Sequence, residues 1–408
     1  MGSSRLNVGD EAQAGSAAKP VVCFLGPVSS YTHQATMETF PADKFELMPV
    51  VTIKDIFDTT QSGRATYGVV PFENSTNGSV VFTLDHFADR SNAYPDLNVC
   101  REIYLDVHHC ILGHIAPSSS SPSSSQLQSQ NPSSSILQQP QSQPESSRED
   151  KPSSSAPKPP NDKDDKPATA QPLHSLAHIQ RIYSHPQAFG QCTRFLGAHL
   201  RGVETVDMSS TSRAAELALA DTTKTSAAIS SLAAAELLGD GIDVLARNVE
   251  DRDDNTTRFF VLRRGTATSP SEEEELLLTR AVSGDEKTQP QKPGEGSAVT
   301  EEAADKKAST TTRHRPTKSL VSFTVPHHAP GGLAAVLDCF RRGGLNLTSI
   351  SSRPSLAGAF QYVFFVEFEG HRFADPEGRV GEVLEGVGEV ARSWRWLGSW
   401  EDMLRGRR

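Results

Sequence analysis

The chain has 408 residues, too many for a single hydrophobic core, so we expect two or three domains. Its formal net charge of −10 argues against general nucleic-acid binding, although local donors can still hold an anionic metabolite. No apolar run reaches the length that crosses a membrane, so the sequence predicts no membrane partner.

Strand and helix patterns alternate through the first two thirds of the chain, which predicts α/β layers. The first half of this region predicts strands at 21–25 and 67–70, helices at 31–40 and 79–89, and one long strand at 102–112. The second half predicts strands at 180–184 and 203–206, helices at 188–200 and 212–221, and short elements at 227–229 and 242–244.

Three polar segments interrupt or precede these patterns. Segments 117–171 and 265–317 lack the apolar residues that would offset the entropy of ordering, so both are predicted to be disordered. The N-terminal residues 1–19 are also predicted to be disordered, and they have no apolar signal core. Domain boundaries therefore follow as 20–264, with 117–171 as an insertion, then a linker at 265–317 and a second domain at 318–408.

The last segment predicts a compact second fold. Its order is strand 320–325, helix 331–342, strands 345–352 and 360–369, helix 379–391 and strand 394–397. This βαββαβ order is that of a ferredoxin-like fold.

Cysteine and histidine usage argues against a metal. The five cysteines are scattered and odd in number, which indicates a reduced, cytoplasmic protein. His108, His109 and Cys110 are adjacent, but neighbours on a strand face opposite ways and cannot readily share one ion. We expect packing and hydrogen bonding there, no metal and no cofactor.

Polar residues recur where apolar runs end. Four segments, 21–35, 67–80, 182–192 and 206–215, read as strand, polar turn and helix start. In open α/β sheets, ligands bind at such places, against helix N-termini, although a single hydroxyl there is more often a cap. In a fifth segment, 254–264, a polar turn runs into an apolar strand, with Thr257 and Arg258 at its entrance. A hydroxyl beside a guanidinium suits an anionic small molecule.

Together these segments resemble, in order, the motifs of the prephenate dehydratase family. The matching residues are Gly26-Pro27 through Tyr31, Val70 to Ser75 with Gly78, His108-His109-Cys110, Ser184 to Ala188 with Gln191-Cys192, Ser210-Thr211, and Thr257-Arg258-Phe259. One departure is Ser29, which replaces a glycine of the family motif and is expected to alter that turn slightly.

The resemblance implies a fold and a site. It implies a two-lobed, periplasmic-binding-protein-like catalytic domain with a central cleft, in which the chain crosses between lobes after Gly78 and again through 257–262. The implied catalytic residues are Thr257, as donor to the leaving hydroxyl, Arg258, as carboxylate clamp or orienter of Thr257, and Phe259. The implied substrate-binding residues are Ser30, Tyr31, Glu73, Asn74, Ser75, His185, Gln187, Gln191, Ser210 and Thr211. The implied reaction converts prephenate to phenylpyruvate, water and carbon dioxide on the route to phenylalanine, without a cofactor.

The C-terminal segment resembles the ACT regulatory domain of the same family. The resemblance implies that L-phenylalanine is an allosteric effector and that the chain forms a homodimer or homotetramer. The implied effector-binding residues are Gly331, Gly332, Leu333, Asn346, Ser352, Arg353 and Pro354. Two residues depart from the family motifs, Gly332 in place of alanine and Ser351 in place of glutamate.

Two alternatives stay open at the level of sequence. The first is arogenate dehydratase, which performs the same chemistry on the transaminated substrate. The second belongs to a different class, a two-lobed module that binds a small molecule without catalysis. The absence of a secretion signal and the Thr257-Arg258-Phe259 motif favour an enzyme.

Overall fold

The computed structural model describes residues 18–116, 170–265 and 316–405. The predictions of disorder for 1–19, 117–171 and 265–317 fall almost wholly outside these residues and stay predictions. None of the helices in the described ranges is long and apolar enough to cross a membrane.

The first lobe is a mixed sheet with three helices. Its strands, numbered in chain order, are β1 (Val21–Leu25), β2 (Glu46–Val50), β3 (Tyr67–Asn74), β4 (Gly78–Ser79), β5 (Leu97–Asp106) and β11 (Thr256–Arg264). Its helices are α1 (Tyr31–Thr39), α2 (Ile53–Gln61) and α3 (Val81–Phe87). Strands β1, β2 and β3 are parallel, because α1 and α2 return the chain between them, whereas β11 runs antiparallel to β3 and β5.

The second lobe is a five-stranded sheet in the order β10-β6-β9-β7-β8. Its strands are β6 (Cys110–Gly113), β7 (Arg181–Ser184), β8 (Glu204–Asp207), β9 (Ser226–Ser230) and β10 (Asp243–Ala246). Its helices are α4 (Pro186–Gln191), α5 (Thr193–His199), α6 (Thr211–Leu219) and α7 (Leu232–Leu238).

Two sequence predictions in this region are wrong. The helix predicted at 188–200 is two helices, because the Asp251 carboxylate accepts the backbone N–H groups of Thr193 and Arg194 and starts a new helix there. The strand predicted at 102–112 is likewise divided between the two sheets, as β5 and β6.

The chain therefore crosses between the lobes at 107–109 and returns at 247–255. The crossings predicted after Gly78 and through 257–262 are both wrong, since 257–262 lies within β11 of the first lobe. Gly78, with φ of +78°, pairs with Asn74 in a tight hairpin, and the chain stays in the first lobe until Asp106. The second crossing ends at Thr256 and Thr257, so the first residues of β11 lie next to the space between the lobes.

The C-terminal unit has the predicted βαββαβ order. Its elements are β12 (Thr317–Thr324), α8 (Gly332–Arg342), β13 (Leu347–Pro354), β14 (Tyr362–Glu369), α9 (Arg379–Val390) and β15 (Ser393–Glu401). The strands pair antiparallel in the order β13-β14-β12-β15, and both helices pack on one face. This ferredoxin-like arrangement confirms the predicted fold.

The C-terminal unit and the first lobe share one sheet and one core. Strand β15 pairs in parallel with β5 at Gly398 and Val99, which makes the sheet ten-stranded. Gly398 has φ of +147°, and a Cβ atom there would lie 2.1 Å from the Val99 carbonyl oxygen. On one side of this junction Trp400 packs on Phe260, with ring centroids 5.0 Å apart. The two units are therefore separate in sequence but continuous in packing.

Candidate active site

A cleft of about 510 Å³ opens between the two lobes, beside the two crossings. The first lobe contributes the ends of β1 and β3 and the first turns of α1 and α3, and the second lobe contributes the first turns of α4 and α6. Val107 and His109 come from the first crossing, and Thr257 and Phe259 follow the second. Among the described residues that line the cleft there is no Asp, Glu, Lys or Arg. An anion in this cleft would therefore be held by neutral donors.

Strand alternation separates Thr257 from Arg258. Successive side chains of a strand face opposite sides of the sheet, so Thr257 and Phe259 face the cleft whereas Arg258 faces the C-terminal unit. The Arg258 guanidinium lies 2.5 Å from the Glu102 carboxylate and 2.6 Å from that of Glu367. The expectation that Arg258 clamps a substrate carboxylate is therefore wrong.

Two further predicted substrate residues lie outside the cleft for related reasons. Glu73 neighbours Asn74 on β3 and so points to the opposite face, into the same space as Arg258. The Ser75 hydroxyl donates to the Asp254 carbonyl and accepts from the Thr256 N–H, which ties β3 to the return crossing. We infer that Ser75 is structural.

Asn74 fixes the orientation of the Thr257 hydroxyl. The Asn74 Oδ1 accepts the backbone N–H groups of Thr76 and Asn77, so its amide group can point only one way. Its Nδ2 then donates to Thr257 Oγ1 over 3.0 Å and to Asn255 Oδ1 over 2.7 Å. Because the Thr257 oxygen accepts this bond, its own proton remains to donate into the cleft.

A hydrogen-bonded chain joins the two lobes across the first crossing. The Tyr31 hydroxyl lies 2.9 Å from His109 Nδ1, and His109 Nε2 lies 2.8 Å from Gln191 Oε1. A neutral His109 with its proton on Nε2 satisfies both contacts. Burial, opposed by the Gln191 hydrogen bond, lowers the pKa of His109 from its ordinary value, and loss of solvation raises the pKa of Tyr31. Both groups are therefore uncharged at neutral pH.

Three of the four helices that begin at the cleft wall have side-chain caps. Ser30 caps α1 by accepting the His33 N–H, Ser210 caps α6 by accepting the Arg213 N–H, and the His185 ring caps α4. The Ser30 hydroxyl also donates to the Leu25 carbonyl, so this side chain is fully engaged in the fold. The partial positive ends of helices from both lobes therefore face one cleft, as an anion site requires.

Most of the predicted site residues line this cleft. The predicted residues that line it are Ser30, Tyr31, Asn74, His185, Gln187, Gln191, Ser210, Thr211, Thr257 and Phe259. Sequence reasoning missed His109 as a cleft residue, although it had noted the adjacent pair with His108. It also missed Phe82, which is 69% exposed at the cleft, and Ser212, whose buried hydroxyl has no partner among the described residues. Phe82 carries no sequence signal of this kind, and the hydroxyl-rich run 209–212 does not show by itself which of its hydroxyls reach the cleft.

The turn before α1 contains Ser29, the residue that replaces a glycine of the family motif. Ser29 has φ of +77°, in the left-handed region where glycine is favoured, and its backbone N–H donates to His33 Nδ1. With serine in place of glycine, the turn therefore still has a left-handed backbone and a hydrogen bond to His33.

The predicted effector residues divide into two groups. Gly331, Gly332 and Leu333 line a second cavity of about 510 Å³ at the start of α8, together with residues of β12 and β14. Arg353 instead makes an ion pair with Asp85 of α3, and Asn346 donates to Glu369. Ser352 and Pro354 lie on β13, outside that cavity. The seven residues therefore do not line one cavity within a single chain, and their role as an effector site, expected at a subunit interface, stays a prediction.

The fold and the site define a two-lobed α/β enzyme with an uncharged cleft and a fused ferredoxin-like unit. A family model described as prephenate dehydratase matches residues 22–143 and 168–267, more than half of the chain. The chain therefore belongs to the prephenate dehydratase family.

Individual relatives agree with this assignment. A bifunctional chorismate mutase/prephenate dehydratase of Aquifex aeolicus is 27% identical over 94% of this chain and 74% of its own length. The crystal structure of prephenate dehydratase from Arthrobacter aurescens in complex with L-Phe is 23% identical, with a TM-score of 0.60 over 94% of this chain and 90% of its own. GqqA, described as a novel type of quorum quenching acylase, has a TM-score of 0.58 at 22% identity, over 95% of this chain and 99% of its own. Similarity to these structures shows the fold alone.

Proposed function

We propose that this chain is a prephenate dehydratase that uses Thr257 as the donor to the leaving hydroxyl. The observation that carries this assignment of Thr257 is its hydroxyl proton, which Asn74 leaves free to point into an uncharged cleft between helix N-termini. The family and its relatives place the reaction among the carbon–oxygen lyases.

The reaction needs little covalent help from the protein. Prephenate loses its ring hydroxyl and its ring carboxylate together, and the electrons of the broken carbon–carbon bond complete an aromatic ring. The carboxylate leaves as carbon dioxide, and the hydroxide takes up a proton to become water. The enzyme has to hold a dianion and stabilise charge on the departing oxygen.

Neutral donors and helix ends would hold the dianion. The N-termini of α1 and α6 approach the cleft from opposite lobes, so each can meet one of the two carboxylates. Such an interaction contributes about 0.3–1 kcal/mol at an exposed helix end and up to about 2 kcal/mol where water is excluded. Gln187, Gln191 and Thr211 add side-chain donors.

Thr257 would act when the hydroxide leaves. A threonine is a poor acid, so we assign it as a hydrogen-bond donor polarised by Asn74 Nδ2, 3.0 Å away. Because the leaving oxygen gains charge only in the transition state, this bond contributes to turnover more than to substrate affinity.

The C-terminal unit would act as an ACT regulatory domain that binds L-phenylalanine. The Arthrobacter structure contains L-Phe, and this chain has a cavity at the start of α8 that is lined by Gly331, Gly332 and Leu333. The proposed domains are 20–264 for catalysis and 318–408 for regulation, in a homodimer or homotetramer.

Product analysis with purified protein tests the activity, with ultraviolet detection of phenylpyruvate for prephenate and amino-acid analysis of phenylalanine for arogenate, which keeps its amino group. Prephenate and arogenate are offered in parallel, with Thr257→Ala as the control protein. We expect turnover of prephenate that the control lacks. Turnover of arogenate alone would make the chain an arogenate dehydratase, and turnover of neither substrate would contradict the proposal.

A further inference from the structure

A buried ionic cluster joins the first lobe to the C-terminal unit. Its members are Glu102 and Arg258 of the first lobe with Lys318, Glu367 and Asp402 of the C-terminal unit, and each is at most 6% exposed. Lys318 lies 3.2 Å from Asp402 and 3.6 Å from Glu102. A cluster of this kind is costly to disturb, because removing one partner leaves a charge buried without compensation.

Arg258 is the member that adjoins Thr257 in the chain, although its side chain faces away from the cleft. Its Nε donates to Glu102 over 2.9 Å, while its Nη2 donates to both Glu102 and Glu367. The guanidinium also stacks over Phe260, 4.8 Å from the ring centroid. Burial opposes the charge of Arg258, but the carboxylates of Glu367 and Glu102 more than offset this and hold its pKa above the ordinary value.

Arg258 and Thr257 are consecutive residues on a strand that is paired on both sides. Thr257 is opposite Asn74 of β3 and Leu105 of β5. A shift of the Arg258 guanidinium therefore acts on the backbone of Thr257, whose hydroxyl must remain within reach of Asn74. The effect of Arg258 on Thr257 passes through adjacent backbone, so no other residue has to transmit it.

Glu367 connects this pair to the cavity of the C-terminal unit. It lies on β14, whose first residues Tyr362, Val363 and Phe364 line that cavity. Its other carboxylate oxygen accepts from the Thr348 hydroxyl over 2.6 Å, so both oxygens are held. The side chain is thus fixed between the C-terminal unit and Arg258.

We propose that Arg258 is a positioning residue for Thr257 and that Glu367 controls it, so that turnover depends on the state of the C-terminal unit. The inference rests on the proposed function, because it names the contact through which regulation reaches that site. A ligand in the cavity that displaced β14 would move Glu367 and change the alignment of Thr257.

The test compares two matched variants of the full chain, Glu367→Gln and Asp85→Asn. Both replace a carboxylate by an amide, and both remove the partner of an arginine across the junction between the units. Asp85 of α3 pairs with Arg353 of β13 over 2.8 Å, so this ion pair includes no residue of β11. For Glu367→Gln we expect a fall in kcat of at least tenfold with KM within about twofold, because only the transition-state contact is misaligned. For Asp85→Asn we expect kcat within twofold of the parent.

Hydrogen exchange at 256–259 is measured in the same proteins. We expect faster exchange there in Glu367→Gln than in Asp85→Asn, whatever the substrate proves to be. Because this readout needs no turnover, failure of the proposed function and failure of this inference are distinguishable. Equal exchange and equal kcat in the two variants would overturn the inference.

A double variant separates positioning from general docking. If Arg258 and Glu367 act as one unit, Arg258→Lys combined with Glu367→Gln lowers kcat no further than the worse single variant. Multiplicative losses would overturn the inference. If Glu367→Gln does not fold, Thr348→Val provides a milder replacement, because it deletes only the hydroxyl that holds Glu367; a kcat within twofold of the parent would then count against the proposal.

Discussion

Asn74 Nδ2 donates a 3.0 Å hydrogen bond to the hydroxyl of Thr257, and these two residues are 183 positions apart in the chain. The contact joins the end of β3 to the start of β11, at the point where the chain returns from the second lobe. The alignment of the Thr257 hydroxyl therefore depends on the pairing of β3 with β11. In the sequence, the whole second lobe lies between these two strands.

Asn74→Asp tests this contact directly. The carboxylate keeps the acceptor for the Thr76 and Asn77 N–H groups, so the turn is preserved, but the donor to Thr257 is lost. The Thr257 proton would then be drawn to the introduced carboxylate rather than to the substrate. We expect kcat to fall by about 10²-fold, at the lower end of what proton-transfer help contributes. Steady-state kinetics provides the measurement, and kcat within threefold of the parent would show that the contact has no catalytic role.

Thr257→Ala and Thr257→Ser form a matched pair. Alanine removes the hydroxyl, whereas serine keeps it on the same backbone. We expect alanine to lower turnover by about 10²–10⁴-fold while KM changes little, and serine to retain most of the activity. Near-normal turnover of Thr257→Ala would contradict the assignment of Thr257 as the donor to the leaving hydroxyl.

Gly398→Ala should weaken the junction between the first lobe and the C-terminal unit. The added Cβ would meet the Val99 carbonyl at 2.1 Å, and the backbone there has positive φ. We expect a loss of about 1–3 kcal/mol in the free energy of unfolding, measured with urea. Gly381→Ala is the control, since a Cβ at Gly381 in α9 has open space and should stabilise the chain by about 0.5–1 kcal/mol. A free energy of unfolding for Gly398→Ala equal to or above that of the parent would refute the close approach.

His109 should make stability dependent on pH on the acid side. Burial lowers its folded-state pKa below the value of about 6.5 that it has when unfolded. The stabilisation is therefore fully present above pH 6.5 and is lost as the pH falls from there through the folded pKa, because the unfolded chain binds the extra proton. Urea titrations of the parent and of His109→Gln between pH 5 and 8 should show a shallower slope below pH 6.5 in the variant. Glu250 and His108 lie beside His109 in the parent. The slopes of the two proteins are compared with each other because His33, His86 and His371, whose pKa values burial also lowers, are present in both.

A chain that ends near Thr317 should be less stable than the full chain. The sequence alone predicts that such a chain keeps its turnover and loses its response to phenylalanine. The structure indicates that truncation also lowers stability, because it exposes Phe260 and removes both Glu367 and Lys318 from the buried cluster. We expect a lower melting temperature and at least a tenfold lower kcat, together with loss of inhibition by phenylalanine. Turnover equal to that of the full chain would show that the C-terminal unit is dispensable for catalysis, and equal inhibition of both chains would place the effector in the catalytic cleft.

The amino-acid sequence by itself determined the α/β alternation, the βαββαβ order of the last segment and most residues of the cleft. These features depend on short-range patterns: apolar periodicity, hydroxyl groups at helix starts, and motifs that follow strand ends. Thr257, Asn74, Ser210 and Gln187 lie in segments with such a pattern, and the resemblance of those segments to the prephenate dehydratase family assigned them to the cleft.

Only the tertiary structure decided which way Arg258 and Glu73 point and how the two units join. Adjacent strand residues face opposite sides of the sheet, and the register of β11 with β3 and β5 assigns Thr257 to the cleft and Arg258 to the C-terminal unit. The partners of Arg258 lie 156 and 109 positions away, at Glu102 and Glu367. No local pattern encodes contacts at that separation. The pairing of β11 with β5 brings Arg258 to Glu102, and the pairing of β15 with β5 joins the C-terminal unit, with Glu367, to the same sheet.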